Sequence, residues 1–305
     1  MAGRYKIKTV AERSGFSATL LRAWERRYTF LEPERQPSGH RLYTEDDMKV
    51  LRAVKVMLDR GQSIGEVSAL GRGALLRLDL GPSVERRAEI PPSELTDGLT
   101  QAKERLIHSL QRLDAEDVRR LVQKLFSDLD FETLRHFALE VSLEVGNLWA
   151  VGHLSVASEH LLSSVWKEQL LLRTQDYLSG PAGEKTVICA GFPDEQHELG
   201  LLFLNCELAR AQHRVVYLGP ALPLEDLDVA VARLQPHVTC LSVTRTAVLR
   251  VHLPRFQETV KRHPSTTFVV GGAGVAGLED DLIQTGALAW PSDRPLRGAA
   301  ENLFL

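Results

Sequence analysis

The stretch TVICAGFPDEQHELG, residues 186–200, decides the fold of this chain. Its apolar start predicts a buried strand over Thr186–Ala190, and the amphipathic run behind it predicts a helix over Leu201–Ala211. Glu195 and His197 therefore follow the carboxyl end of a strand, where open parallel sheets bind ligands. A neutral imidazole ligates transition metals well, and a carboxylate on its other nitrogen fixes the tautomer. The alternative interpretation is a surface histidine between two solvated glutamates.

Three more strands follow at regular spacing, over Val215–Gly219, Thr239–Thr244 and Phe268–Gly272. Amphipathic helices fill the gaps, over Leu224–Leu234 and roughly Ala247–His263. Strands alternating with helices predict a parallel, doubly wound α/β sheet.

Glu195, His197 and Gly200 form a Glu-x-His-x-x-Gly pattern that resembles the cobalamin-binding signature, in which Asp is commoner at the first position. The resemblance implies a Rossmann-like cobalamin domain. It makes His197 the lower axial ligand of cobalt, and Gly200 a point where the backbone or the corrin approaches closely. The other cofactor contacts that it implies are Leu218, Gly219, Ser242, Thr244, Gly271 and Gly272.

Trp149 precedes Glu159 and His160 in a pattern that resembles the four-helix module that caps the upper face of cobalamin. Val156 lies where that family has a small apolar residue. Val156, Glu159 and His160 share one helix face. The resemblance implies that Trp149 covers an upper ligand and that Glu159 and His160 bond its hydroxyls. A core tryptophan and a structural histidine are the alternative.

The first 75 residues predict a DNA-binding head. A helix ends at Gly15, Ser17 caps a second helix over Ala18–Tyr28, and a turn with short strands precedes a third helix over Met48–Arg60. This order resembles the MerR-type winged helix-turn-helix domain. The resemblance implies DNA contacts from Arg22, Arg26, Arg27, His40, Arg41 and Tyr43.

The distribution of charge along the chain supports a separate DNA-binding head. Residues 1–75 contain 14 Lys/Arg and 9 Asp/Glu, whereas the other 230 contain 23 and 31. A basic head on an acidic body suits a phosphate-binding module on a sensor. Because a net charge of +5 is modest, we expect one copy to bind DNA weakly. MerR-type domains act in pairs, so the resemblance implies an oligomer.

Other features restrict the class of protein. No apolar run is long enough to span a membrane, and no signal-peptide pattern opens the chain. The three cysteines fit a reducing cytoplasm and have no zinc-site spacing. We therefore expect a cytoplasmic protein without a membrane partner.

The predicted architecture is multidomain: a MerR-type head (1–75), a linker (76–92), a four-helix bundle (93–180) and a Rossmann-like domain (184–305). Gly71-Arg72-Gly73 marks the start of the linker region.

Over nearly the whole chain, these features resemble the cobalamin-dependent MerR-type photoreceptor repressors, the CarH/LitR-like family. The resemblance implies a repressor that binds adenosylcobalamin in the dark, assembles as a tetramer on operator DNA and falls apart in light. Methylcobalamin or hydroxocobalamin is the alternative cofactor, and a light-independent regulator is the alternative function. The sequence also leaves open whether a second chromophore, a bilin, binds in addition to cobalamin.

One residue departs from the family. The best-known members have a histidine after the tryptophan, which takes the upper position after illumination, whereas this chain has Ala150. His153 could replace it only if its turn moves; otherwise water takes that position.

Two other classes compete. A cobalamin enzyme would need a substrate domain, commonly a barrel of about 250 residues. A metal-sensing MerR activator would need Cys or His between Arg60 and Ala74, and that stretch has neither.

Overall fold

The computed structural model of the chain describes residues 4–35, 41–59, 62, 64–78, 94–180, 183 and 185–290. Contacts divide the chain into two compact units. The first comprises Met1–Asp128 with Phe137–Val165, and the second comprises Leu129–His136 with Trp166–Leu305.

The head contains a small antiparallel sheet and five helices. The strands are β1 (Arg4–Lys6), β2 (Glu34–Arg35) and β3 (Arg41–Thr44), in the order β1-β3-β2. The helices are α1 (Ile7–Ser14), α2 (Ala18–Arg27), α3 (Glu45–Asp59), α4 (Ile64–Ala69) and α5 (Gly71–Arg77). Gly15 ends α1 with φ +76°, and the Ser17 hydroxyl accepts from Leu20 N at 3.2 Å. The predicted turn and N-cap are therefore confirmed.

Helix α5 corrects the predicted start of the linker. Gly71-Arg72-Gly73 forms the start of this helix. The Arg72 side chain joins the helix to the rest of the head. Arg72 Nη1 donates to Asp47 Oδ1 and to the Phe30 carbonyl, both at 2.7 Å. Asp47 is fully buried, so this ion pair neutralises a charge inside the head. Residues 79–93, most of the predicted linker, lie outside the described part of the chain.

The four helices of the predicted bundle are all present. They are α6 (Glu94–Gln111), α7 (Ala115–Asp128), α8 (Phe131–Ala150) and α9 (Val156–Leu178). Most of these helical residues belong to the first unit, whereas the first residues of α8 and the second half of α9 belong to the unit that contains the large sheet. There the Thr174 hydroxyl of α9 accepts from Asn205 Nδ2 at 3.3 Å.

The second unit contains a five-stranded parallel sheet with the order β5-β4-β6-β7-β8. Its strands are β4 (Thr186–Gly191), β5 (Arg214–Gly219), β6 (Val238–Ser242), β7 (Thr267–Gly271) and β8 (Leu288–Trp290). Its helices after α9 are α10 (Leu199–Arg210), α11 (Leu224–Leu234), α12 (Thr246–Arg262) and α13 (Glu279–Thr285). Buried apolar clusters lie on both faces of the sheet. The strand order reverses beside β4, so the ends of β4 and β6 form the position where such sheets bind ligands.

The predicted doubly wound sheet is confirmed, with differences at its ends. β6 ends at Ser242, two residues earlier than predicted. The sequence analysis missed α13 and β8, which are only seven and three residues long and too short to show a periodic pattern.

No helix within the described ranges is long and apolar enough to cross a membrane. The three cysteines are all buried.

Candidate functional site

A buried carboxylate and an exposed histidine meet at the carboxyl edge of the parallel sheet. The Glu195 side chain is fully buried, whereas 70% of the His197 side chain is exposed. His197 Nδ1 donates to Glu195 Oε1 at 2.6 Å, and the His197 amide donates to the same oxygen at 2.8 Å. The other oxygen, Oε2, accepts from Thr244 N at 2.6 Å and from Thr244 Oγ1 at 2.7 Å. These contacts join the loop after β4 to the loop after β6.

The hydrogen bonds determine the protonation of this group. Burial raises the pKa of Glu195, but the bonds from His197 and Thr244 outweigh it and bring that pKa to about 2. The ionised carboxylate only accepts hydrogen bonds, so His197 Nδ1 is the donor; when the ring is neutral, its lone pair is on Nε2. This is the tautomer in which a histidine ligates a metal while a carboxylate holds its other nitrogen.

The loop that presents His197 is fixed at its start as well. Asp194 has φ +61°, a left-handed conformation that a non-glycine residue adopts at some cost. Arg245 Nη2 donates to the Asp194 carbonyl at 2.6 Å, and His252 Nε2 lies 2.8 Å from Asp194 Oδ2. The Glu195 carbonyl accepts from Ala221 N at 2.9 Å, which joins the loop to the segment after β5.

Glycines at the sheet edge let the backbone of neighbouring loops approach closely, and one of them, Gly200, borders open space. A Cβ on Gly200, in the first turn of α10, would meet nothing within 4 Å among the described residues, so packing of the chain does not explain this glycine. Gly272 has φ +107°, and a Cβ there would lie 2.3 Å from the Val243 carbonyl oxygen. The sequence analysis missed Gly191. A Cβ on Gly191 would lie 2.7 Å from the Cα of Pro220, so glycine allows this close approach. The residues present therefore fit a cobalamin.

The other predicted cofactor contacts lie at the same edge. Ser242 and Gly271 are paired neighbours at the ends of β6 and β7, and Gly219 ends β5. Leu218 is partly buried and packs against an apolar cluster of the sheet, so its side chain contributes to the core.

The predicted upper-face residues belong to the first unit. Trp149 and Val156 are 50% and 47% exposed, large values for apolar side chains. Glu159 Oε2 lies 2.8 Å from His160 Nδ1, and Glu159 Oε1 accepts from Ser163 Oγ at 2.6 Å. The two polar side chains therefore contact each other in this structure.

His153 lies beyond Ala150, in the turn between α8 and α9. Its Nε2 is within hydrogen-bonding distance of Arg26 Nη2 of the head. Burial and the Arg26 charge lower the pKa of His153. Recruiting His153 as a ligand would therefore require breaking its contact with Arg26.

In the head, Arg22, Arg26 and Arg27 are exposed along α2. Arg41 Nε donates to Glu25 Oε2 at 2.5 Å, which ties β3 to α2. Tyr43 corrects the sequence-based expectation of a DNA contact. Its side chain is fully buried and its hydroxyl donates to Glu25 at 3.4 Å, so it supports the wing from inside. His40 lies outside the described residues.

Comparisons with known proteins show the family of the chain. Residues 5–73 match the MerR HTH family regulatory proteins, and residues 102–170 match the B12 binding domain. The transcriptional repressor CarH of Myxococcus xanthus is 32% identical over 240 residues, 78% of each chain. The chain belongs to the family of this repressor. CarA of the same organism is 29% identical over 273 residues, 88% of this chain and 86% of CarA.

Membership in the CarH family makes the chain a cobalamin-binding transcriptional regulator of the MerR type. As MerR regulators do, it binds operator DNA. The Methanosarcina barkeri monomethylamine corrinoid protein covers 66% of this chain and 95% of its own, with a TM-score of 0.52 and 13% identity. At that identity, the similarity shows the fold alone.

Proposed function

We propose that the chain is a light-responsive repressor that binds operator DNA as an adenosylcobalamin-loaded oligomer, a tetramer, in the dark. The observation that supports it is the Glu195–His197 pair, in which a fully buried carboxylate holds Nδ1 of a mostly exposed imidazole. The match to CarH over most of both chains supports the regulatory role.

Each residue has a defined task in this proposal. His197 Nε2 holds the cobalt, and Glu195 fixes the ring. Trp149 and Val156 cover the upper face with apolar surface, while Glu159 and His160 offer polar groups to the hydroxyls of a deoxyadenosyl group. When bound, the cofactor supplies a cobalt–carbon bond that light breaks. Contacts with the upper group exist in only one of the two states, so losing them shifts the equilibrium between assembled and dissociated protein.

DNA binding is assigned to the exposed arginines of α2, namely Arg22, Arg26 and Arg27, with Arg41 on the wing. Arginines of a recognition helix reach guanine edges or phosphates. Residues 5–73 match the MerR HTH regulators, and the relatives CarH and CarA are named transcriptional repressors, so we propose a regulator and not an enzyme.

The experiment is a comparison of dark and illuminated protein. Protein loaded in the dark with adenosylcobalamin is measured by absorption, by size-exclusion chromatography and by operator gel shift, before and after green light. We expect a tetramer that binds DNA in the dark, and smaller species with weak binding after light. Equal assembly and DNA binding in both conditions would point to a light-independent regulator. Assembly and DNA binding that respond to methylcobalamin more than to adenosylcobalamin would identify methylcobalamin as the cofactor.

The Ala150 methyl group has no ligating atom, and the His153 Nε2 is in contact with Arg26. We therefore expect the illuminated spectrum to lack a second histidine ligand and the cofactor to dissociate faster than before light. A bis-histidine spectrum would contradict this and identify His153 or another histidine as a recruited ligand.

His197→Ala tests the ligand directly. It removes the only nitrogen that the proposal gives to cobalt, so we expect cobalamin retention to fall at least tenfold. Equilibrium dialysis measures it. His213→Ala is the matched control, since His213 lies at the amino end of β5 and should not change retention. Equal retention by His197→Ala and wild type would refute histidine ligation.

A further inference from the structure

A polar cluster forms around the residue after His197, at a position that the Glu-x-His-x-x-Gly signature leaves unspecified. Glu198 is the next residue, and α10 begins immediately after it. Glu198 Oε1 accepts from Lys167 Nζ of α9 at 2.8 Å, and Oε2 accepts from the hydroxyl of Tyr217 in β5. One carboxylate thus joins three elements of the second unit.

The cluster is largely shielded from solvent. The Glu198 side chain is 20% exposed and that of Lys167 is 41% exposed. Burial and the Glu198 carboxylate raise the pKa of Tyr217, so its hydroxyl stays protonated and donates. Charge-assisted bonds of this kind are stronger than neutral ones and restrict geometry.

The position of the cluster relates it to the cobalt ligand. The His197 side chain is mostly exposed, so core packing does not orient it. The Nδ1 bond to Glu195, the Thr244 hydroxyl 3.1 Å from Nδ1 and the backbone to either side contribute to its orientation. Glu195, two residues before, is held by Thr244, and Glu198, one residue after, is held by Lys167 and Tyr217. The backbone of His197 is therefore fixed on both sides.

We propose that Lys167, Glu198 and Tyr217 are positioning residues that hold the His197 backbone so that Nε2 meets cobalt at ligation distance. The inference rests on the proposed role of His197 and extends it to Glu198, at a position that the Glu-x-His-x-x-Gly pattern leaves unspecified, and to Lys167 and Tyr217 on other elements. Without the cluster, the loop after His197 gains freedom, and the nitrogen–cobalt bond must then order it at the cost of affinity.

The test uses the full-length protein loaded with methylcobalamin, whose visible colour is red when a nitrogen occupies the lower position and yellow when it does not. Tyr217→Phe removes one donor with little change of shape, and Glu198→Gln removes the charge. We expect each variant to show a larger yellow fraction and roughly tenfold weaker retention. Lys167→Arg keeps the cation, so this variant should keep the red spectrum of the wild type.

The matched control is Glu207→Gln on α10, whose carboxylate pairs with Arg210 at 2.6 Å and not with the loop. It should change thermal stability alone. Acidified methylcobalamin, whose own base has left the cobalt, gives the yellow reference; spectra are taken on protein freed of unbound cofactor, which is red, and circular dichroism checks that each variant is folded.

The outcomes separate the two proposals. Wild-type protein that is yellow would overturn histidine ligation and this inference with it. Red wild type with equally red Tyr217→Phe and Glu198→Gln variants would overturn only the positioning role, whatever their thermal stability, and would leave the cluster a structural one.

Discussion

Glu195 accepts hydrogen bonds from two atoms of His197 and two atoms of Thr244, although its side chain is fully buried. A buried carboxylate in such a setting has two effects. It joins two loops, and it fixes which nitrogen of His197 carries the lone pair. Glutamine has a similar size but only one acceptor oxygen, whereas aspartate keeps both oxygens on a shorter side chain.

For Glu195→Gln we therefore expect a loss of about 1–3 kcal/mol in unfolding free energy, because a buried donor is left without its acceptor. Cobalamin retention should fall as well. Glu195→Asp, which gives the family's commoner motif, should retain more of both. Thermal unfolding and equilibrium dialysis measure the two effects. A glutamine variant that retains cofactor better than the aspartate variant would contradict the role of the charge.

The low pKa of Glu195 gives a pH dependence with a definite sign. The folded-state pKa is about 2, below the ordinary value of 4.5. A depressed pKa stabilises the fold fully above the ordinary value, and this stabilisation is lost as pH falls from about 4.5 towards 2. Its upper bound is about 3 kcal/mol. The difference in unfolding free energy of the cofactor-free protein between wild type and Glu195→Gln should shrink over that pH range. A constant difference would show that the charge contributes nothing.

Among the elements, the first turn of α10 combines two requirements that conflict. Glycine is a poor helix former, and no described atom lies within 4 Å of a Cβ on Gly200. Gly200→Ala should raise the unfolding free energy of cofactor-free protein by about 0.5–1 kcal/mol. The same change should weaken cobalamin binding if the corrin passes close to this turn. Calorimetry without cofactor measures the change in stability, and calorimetry with cofactor measures the change in binding. Stronger binding by the alanine variant would place the cofactor away from Gly200.

How far the sequence predicted the fold depended on the range of the interactions. Helix α11 has the predicted bounds, because its apolar period and its acidic first turn are local signals. Helix α5 was missed because Arg72 bonds to Asp47 and Phe30, more than twenty residues away, and these bonds stabilise a glycine-rich helix. The loop motif predicted the contact of Glu195 with His197. Its bonds to Thr244 depend on strand order, which no local pattern specifies.

For the whole chain, a buried ion pair connects the head to the bundle helices inside the first unit. Lys103 of α6 pairs with Glu144 of α8 at 3.2 Å and with Glu140 at 3.0 Å, and it donates to the Gly15 carbonyl at 2.9 Å. Glu144 Oε1 accepts from the Ser17 amide at 3.2 Å. Lys103 and Glu144 are 8% and 3% exposed. Burial lowers the pKa of Lys103, but the two glutamates outweigh it and leave the pKa raised.

Removing one partner of this pair leaves the other charge buried. We expect Lys103→Met to lower the unfolding free energy of the first unit by about 3–5 kcal/mol, and Lys103→Met with Glu144→Leu to recover most of that loss. Lys124→Met is the control, because its ion pair with Asp128 is exposed. Thermal unfolding of the three variants decides it. Equal stability of Lys103→Met and Lys124→Met would show that the pair is not needed.

The same contact has a consequence for the affinity of DNA. Ser17, Thr19 and Arg22 line a cleft of about 360 Å³ against Ile107 and His108 of α6. In helix-turn-helix domains, the first residues of the recognition helix contact base edges. We expect a duplex that approaches this end of α2 to compete with α6 for these residues. The free energy needed to separate α6 from α2 is subtracted from the free energy of the protein–DNA contacts. The measured operator affinity therefore depends on both. Substitutions in α6, on a surface that contacts no base, should therefore change it.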